Sequence, residues 1–347
     1  MAEKLKILIV DDTSFMRRAI RQILEIDPGL EVLGTAKNGL EAVKKAAELK
    51  PDVITMDIDM PVMDGLSAIR HIMVETPIPI VALSSLVSDG AITFEALRLG
   101  VVDFVPKPSG AISLDIDKSK QQVIDRIKVA NAVNLDNVRR VKLTGGWDVH
   151  QRLDSSLYKY HPLDHVIALG TSLSGPNTVI RLLSKLSPTL PAAVVVVQEI
   201  SPKIISSFAK QFNENVPWRV QVAEGEIPME QGTCYISSNE HSIEFSQNEK
   251  GEFLLKSGEG VKEPLNLLFS TAAETFQQNT VGVLLTGIGD DGEEGFKMIR
   301  KKSGVTMAQD ALCCVYPNLT DNAIKKGLVD MVVDETKLPH AIEAVME

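Results

Sequence analysis

The chain has 347 residues and a hydrophobic content of 44%, enough for two compact domains with real cores. Its net charge of −10 argues against a nucleic-acid-binding surface, which needs clustered Lys and Arg. Three cysteines, of which Cys313 and Cys314 are adjacent, give neither metal-ligand spacing nor a disulfide framework. That fits a reducing cytoplasm, and no apolar stretch approaches the length needed to cross a bilayer.

The first apolar run, Ile7-Leu8-Ile9-Val10, is too short for a signal sequence and runs straight into two aspartates. It is the first of five β-branched runs at regular distance, at 6–10, 31–36, 53–56, 78–83 and 101–105. Between them, Phe15, Ala19, Ile23 and Leu24, and then Ala42, Val43, Ala46 and Ala47, recur at helical spacing. Strands alternating with helices at this interval predict a parallel sheet covered on both faces, with functional residues at the carboxyl ends of the strands. Asp11 and Asp12 end the first strand, Asp57 the third and Ser84 the fourth, and Lys107 follows the fifth. Three carboxylates at one point repel each other unless a cation neutralises them, and an all-oxygen ligand set suits Mg²⁺. Asp57, between such a metal and Lys107, is placed to act as a nucleophile towards a phosphoryl group.

From about 117 to 141 the pattern is helical, and Thr144-Gly145-Gly146-Trp147 breaks it. We expect domain one to cover 1–130, an exposed linker 131–162 and domain two 163–347. Trp147, Tyr158 and Tyr160 in the linker are candidates for docking on a domain surface or a partner, or for local packing.

Domain two again reads as α/β, with apolar runs at 166–169, 192–197 and 281–286. The first run ends in Gly170-Thr171-Ser172 ahead of a helical segment, which would lift a serine hydroxyl into the crevice beside a helix N-terminus. The third leads into Gly287-Ile288-Gly289-Asp290-Asp291-Gly292. The glycines allow close backbone approach and leave Asp291 in an exposed turn, while two adjacent acids argue against a phosphate cradle.

These motifs carry a resemblance. Val10-Asp11-Asp12, Met56-Asp57, Met60-Pro61-Val62-Met63-Asp64-Gly65 and Lys107-Pro108 resemble the receiver domain of two-component response regulators. The resemblance implies a flavodoxin-like (βα)5 fold with Asp57 as phosphoacceptor. It also implies Mg²⁺ on Asp11, Asp12, Asp57 and the backbone carbonyl of Asp59, with Ser84 and Phe104 responding to the phosphoryl group. The second half, through Gly170-Thr171-Ser172, the stretch 284–292, Ala308-Gln309-Asp310 and the run 323–330, is similar to the C-terminal domain of CheB-type chemotaxis methylesterases. That similarity implies a doubly wound α/β domain, without a cofactor, that hydrolyses methyl esters of receptor glutamates and deamidates receptor glutamines. A chemotaxis histidine kinase and methyl-accepting chemoreceptors would be its partners in the cytoplasm, with neither nucleic acid nor membrane insertion.

In that family a Ser–His–Asp triad does the chemistry, so Ser172 would be the nucleophile and Asp291 the acid that orients the base. The backbone around Ile288 would lie near the oxyanion site. The base departs from the pattern: where the family has Gln-His-Met, this chain has Gln198-Glu199-Ile200. A carboxylate with a pKa of about 4.3 is a far weaker base than an imidazole near 6.5, and losing the histidine of a serine hydrolase costs roughly 10⁶ in turnover. Of the six histidines, His241 and His165 are surface or packing residues rather than substitute bases, and none of the six sits at a matching position. The expectation is a methylesterase-like domain of impaired activity. The alternatives are a non-catalytic, phosphorylation-switched binding protein for receptors or kinase, and a Ser–Glu–Asp arrangement like that of acid-active serine carboxyl peptidases. A DNA-binding output is disfavoured because the second half shows no helix-turn-helix segment.

Overall fold

The computed structural model describes residues 3–84, 90–107, 116–138 and 162–346, apart from the side chains of Ser84 and of 116–119. These fall into two compact units that divide at about residue 140. The expected linker aromatics Trp147, Tyr158 and Tyr160 lie outside the described residues.

In the first unit the strands are β1 (Leu5–Val10), β2 (Leu30–Ala36), β3 (Val53–Asp57), β4 (Ile80–Ser84) and β5 (Asp103–Pro106). They form one parallel sheet in the order β2-β1-β3-β4-β5, the flavodoxin-like arrangement expected from the sequence. Helices α1 (Ser14–Leu24), α2 (Gly39–Leu49), α3 (Gly65–Glu75), α4 (Gly90–Leu99) and α5 (Ile116–Asn131) alternate with them. Thr13, Asn38 and Asp64 cap α1, α2 and α3 through their side chains, each accepting a backbone N–H of the first turn. Leu8, Val10, Ile54, Met56 and Ile80 are buried together between the helix layers.

Two boundaries differ from the pattern. The fifth strand begins at Asp103 rather than 101, because Gly100 at φ 104° closes α4 and Val101 N–H returns to Ala96 O. The helical pattern expected to run to 141 ends at Asn131. There a 3₁₀ turn, Leu135–Asn137, is capped by Asn134, and Leu135 and Val138 turn back onto the first unit's core.

Val62 holds a left-handed φ of 73° in the loop after β3, with Met63 N–H bonded to Pro61 O at 2.9 Å. A β-branched residue is strained there, and Val62 is 82% exposed, so its side chain contributes little packing in return. Val62→Asn is expected to stabilise the first unit by about 1 kcal/mol, read as a higher denaturation midpoint. An unchanged or lower midpoint would refute the strain.

The second unit holds a parallel sheet of β6 (His165–Gly170), β7 (Ala192–Gln198), β8 (Arg219–Val222), β10 (Thr233–Ser238), β13 (Thr280–Leu284), β14 (Val305–Gln309) and β15 (Met331–Val333). Their order is β15-β14-β13-β6-β7-β10-β8. Beside it lies an antiparallel sheet of β9 (Glu226–Pro228), β12 (Phe253–Gly258) and β11 (Ser242–Gln247) that the sequence patterns did not reveal. The helices are α6 (Gly175–Leu183), α7 (Ile205–Asn215), α8 (Pro264–Phe276), α9 (Glu293–Lys301), α10 (Asn318–Lys325) and α11 (Leu338–Ala344). Val166, Ala168, Val195 and Val197 bury one sheet face against α8, whose Phe269 meets Phe296 of α9 at 4.9 Å between ring centroids. The chain leaves β6 for β7 on one side and returns as β13 on the other. The carboxyl ends of β6 and β13 therefore form a topological switch point, where open α/β sheets place their sites.

Candidate functional site

In the first unit the strand ends converge as the sequence predicted. Carboxylate oxygens of Asp11, Asp12 and Asp57 all lie within 4.8 Å of one another. Lys107 Nζ reaches Asp11 Oδ2 at 2.8 Å and Asp57 Oδ2 at 2.7 Å. Asp11 is fully buried, and its Oδ1 accepts both Thr13 N–H and Thr13 Oγ1–H, which fixes the carboxylate. Burial pushes the Asp57 carboxyl above the usual range; Lys107 opposes that shift and Asp11 adds to it. Burial draws Lys107 down, but the two carboxylates outweigh it and hold its pKa above the ordinary lysine value. An oxygen-only set with one ammonium at its edge fits a hard divalent cation of the Mg²⁺ type. Asp59 is exposed in the following loop, and Phe104 packs half-buried against the core. Ser84 ends β4, but its side chain lies outside the described residues.

In the second unit Ser172 stands two residues beyond β6 and half-exposed. Its Oγ accepts the Ile288 N–H at 2.7 Å and lies 3.4 Å from Ile288 O. Its own N–H faces Thr286 O at 3.4 Å, and Thr171 Oγ1 donates to the same carbonyl at 2.7 Å. Two glycines make this approach possible. A Cβ on Gly287 would lie 2.6 Å from Ser172 Oγ, and one on Gly175 would lie 2.2 Å from Thr171 Oγ1. Thus the candidate nucleophile rests on the backbone N–H that the sequence reading placed near the oxyanion site.

Glu199 follows β7, the neighbour of β6, so it stands half-buried on the same edge of the sheet. Asp291 follows β13 on the other side of Ser172. Its carboxylate is held by the start of α8: Oδ2 accepts Leu265 N–H at 2.7 Å and Oδ1 accepts Asn266 N–H at 3.0 Å. Burial raises its pKa, against those backbone N–H groups, which favour the anion. His165 opens β6, at the far end of that strand from Ser172, and burial lowers its pKa. His241 lies in the turn after β10.

Sequence reasoning missed the residues that hold the crevice loops. Gln309 Oε1 accepts Thr286 N–H at 3.0 Å, while its Nε2 donates to Cys313 O at 3.1 Å and faces Glu335 Oε2 at 3.4 Å. Glu335, in turn, is forked to Arg181 of α6, with Nε at 2.5 Å and Nη2 at 3.1 Å. Gly287 is tied by its N–H to Tyr316 O, and its carbonyl accepts Leu319 N–H. Asn318 accepts the Gly289 N–H at 2.7 Å, and Asn322 Nδ2 donates to Gly289 O at 2.9 Å. The only cue in the sequence was that Ala308-Gln309-Asp310 stood among the quoted motifs.

Both units match known protein families. The model of the CheB methylesterase family matches residues 167–342, and that of the response regulator receiver domain matches 7–115. A protein-glutamate methylesterase/protein-glutamine glutaminase of Caldanaerobacter subterraneus is 36% identical, over 97% of this chain and 95% of its own. Proteins of the same description are 33% identical in Pyrococcus horikoshii, over 100% of this chain and 95% of theirs, and 37% identical in Halalkalibacterium halodurans, over 96% and 95%. With a receiver's strand-end acids in one unit and the CheB-type serine crevice in the other, the chain belongs to the CheB methylesterase family of response regulators.

Proposed function

We propose that this chain is a chemotaxis response regulator in which phosphorylation of Asp57 governs a protein-glutamate methylesterase-type domain of impaired activity. A cytoplasmic histidine kinase would supply the phosphoryl group, and methyl-accepting receptors would present the glutamate methyl esters. Asp11, Asp12, Asp57 and the Asp59 carbonyl would hold Mg²⁺, which when bound neutralises charge on the transferring oxygens. Lys107 orients the Asp57 carboxylate, with Ser84 and Phe104 as the responding positions. Among the described residues no helix is long and apolar enough to cross a membrane.

One observation carries the impaired reading. Ser172 is hydrogen-bonded to the Ile288 N–H, and a half-buried glutamate, Glu199, follows β7 where the family pattern would put the histidine. An ordinary carboxylate is a poor acceptor for a serine proton at neutral pH, since proton transfer follows the base's pKa. The remaining machinery, an N–H donor and a half-buried aspartate, lowers the barrier far less than a full triad does.

The test is methanol release from methylated receptor at pH 5 and pH 7.5, with wild type and Ser172→Ala. A weak release, abolished by Ser172→Ala, is the expected result. Robust release at neutral pH that depends on Ser172 would overturn the impairment, and no release at either pH would favour a binding protein switched by phosphorylation. Labelling by a small phosphodonor with Mg²⁺ should disappear in Asp57→Ala; a label elsewhere would refute the phosphoacceptor.

A further inference from the structure

The first unit carries a cleft that the phosphoacceptor site does not use. It measures about 380 Å³ and is lined by Ser14, Arg17, Arg18, Arg21 and Thr35, between α1 and the edge strand β2. Three arginines, a serine and a threonine line it, and among the described residues that line it there is no acid. Helix α1, SFMRRAIRQIL, contains three arginines and no acid, in a chain whose net charge is −10.

An ordinary solvated helix face intersperses both signs, as α2 does with Lys44–Glu48 at 3.8 Å and Lys45–Glu41 at 3.3 Å. Arg21 pairs with Glu25 at 3.9 Å, an exposed contact of little energetic weight. Arg17 is held in place: its Nη1 donates to Asp11 O at 2.8 Å and to Asp12 O at 2.9 Å. Arg18 Nε donates to Ser14 O at 3.3 Å. A guanidinium presents five donors, so each of these two retains several for a ligand. Planar donor forks beside hydroxyls match the oxygens of phosphate and carboxylate groups. The volume falls within the range of small-molecule clefts, about 300–1,000 Å³.

We propose that this cleft binds a small polyanion carrying two or more phosphate or carboxylate groups, and that its occupancy is felt at Asp57. The route is short. One nitrogen of Arg17 holds the carbonyls of both Asp11 and Asp12, whose carboxylates stand within 4.8 Å of that of Asp57. A ligand that draws the Arg17 guanidinium into the cleft loads the backbone of two of the three acids. This second part rests on Asp57 being the phosphoacceptor; the binding itself does not.

The full chain should be titrated by calorimetry with pyrophosphate and, separately, with citrate, without divalent cations and at low and moderate salt. One-to-one binding of at least one probe is expected, weakened tenfold or more in Arg18→Gln/Arg21→Gln with an unchanged melting temperature. Preference for pyrophosphate or for citrate identifies the acid group of the natural ligand. No binding of either probe, or equal binding by the double variant, overturns the site. Hexaglutamate binding tenfold tighter than both small ions would instead make the cleft a docking surface for an acidic polypeptide, and overturns the small-ligand assignment. The coupling is read as the initial rate of Asp57 labelling by phosphoramidate at fixed free Mg²⁺. A twofold or larger change with saturating probe in wild type, absent from the double variant, supports it. Binding without any change in rate overturns the coupling. Absence of labelling in wild type points to the phosphoacceptor reading rather than to the cleft.

Discussion

Glu199→His is expected to raise methanol release at neutral pH by at least about 10²-fold, within the roughly 10⁶ that a triad histidine contributes. The reasoning is local. Ser172 already has the N–H of Ile288 at 2.7 Å from its oxygen, and that loop is fastened at Thr286, Gly287 and Gly289 by Gln309, Tyr316 and Asn318. On the proposed reading, what the crevice needs is a group that accepts the serine proton near pH 7 and returns it to methanol. An imidazole at 199 does both, with an unperturbed pKa near 6.5. Asp291 remains available to it, since a carboxylate offers about four acceptor directions and the start of α8 takes two through Leu265 and Asn266. The pH–rate profile should rise through the imidazole range, and activity should vanish in the double variant with Ser172→Ala. A folded Glu199→His protein that stays at the parent's rate would show that the crevice has lost more than its base.

Glu335→Ala is expected to destabilise the second unit by about 3–5 kcal/mol, the cost of leaving one partner of a buried ion pair alone. The side chains of Arg181 and Glu335 are only 15% and 7% exposed. Removing the carboxylate takes away the Arg181 guanidinium's anionic partner Glu335 and a partner of Gln309 Nε2, at 3.4 Å from it. At about 2–4 °C per kcal/mol for a domain of this size, the unfolding transition should fall by roughly 6–20 °C. Glu335→Gln, which keeps the shape and one acceptor, should lose less. The damage should extend to the crevice, because Gln309 holds Thr286 and Thr286 O faces the Ser172 N–H. In a Glu199→His background, Glu335→Gln should therefore lower kcat more than it changes KM. A transition within 2 °C of wild type for Glu335→Ala would remove the ion pair from the account of stability.

The contrast between the two sites explains what could be read from residue order. Asp11, Asp12, Asp57 and Lys107 were legible because each follows a strand of one parallel sheet, and such strands deliver their carboxyl ends to a single edge. Ser172, Glu199 and Asp291 were placed on their edge by the same rule together with the family pattern. Gln309, Glu335, Arg181, Asn318 and Asn322 gave no comparable signal. They come from segments up to about 150 residues apart, and their meeting depends on β13 and β14 lying beside β6 rather than beyond β10. Nor did the patterns announce β9, β11 and β12, short strands whose partners are set by tertiary pairing.

By itself the sequence determined two α/β units and a receiver with its acidic triad and lysine, and it led to the proposal of a crevice serine with Glu199 in place of a histidine. These follow from local periodicity and from strand-end position, both carried by neighbouring residues. Only the tertiary structure decided that Ser172 rests on the Ile288 N–H, that Asp291 is seated on the start of α8, and that a buried fork from Arg181 to Glu335 leads through Gln309 to the crevice. The same holds for the arginine cleft beside β2. Hydrogen bonds between distant segments exist only once the strand order has brought their donors and acceptors within 3 Å or so, and no local pattern encodes that order.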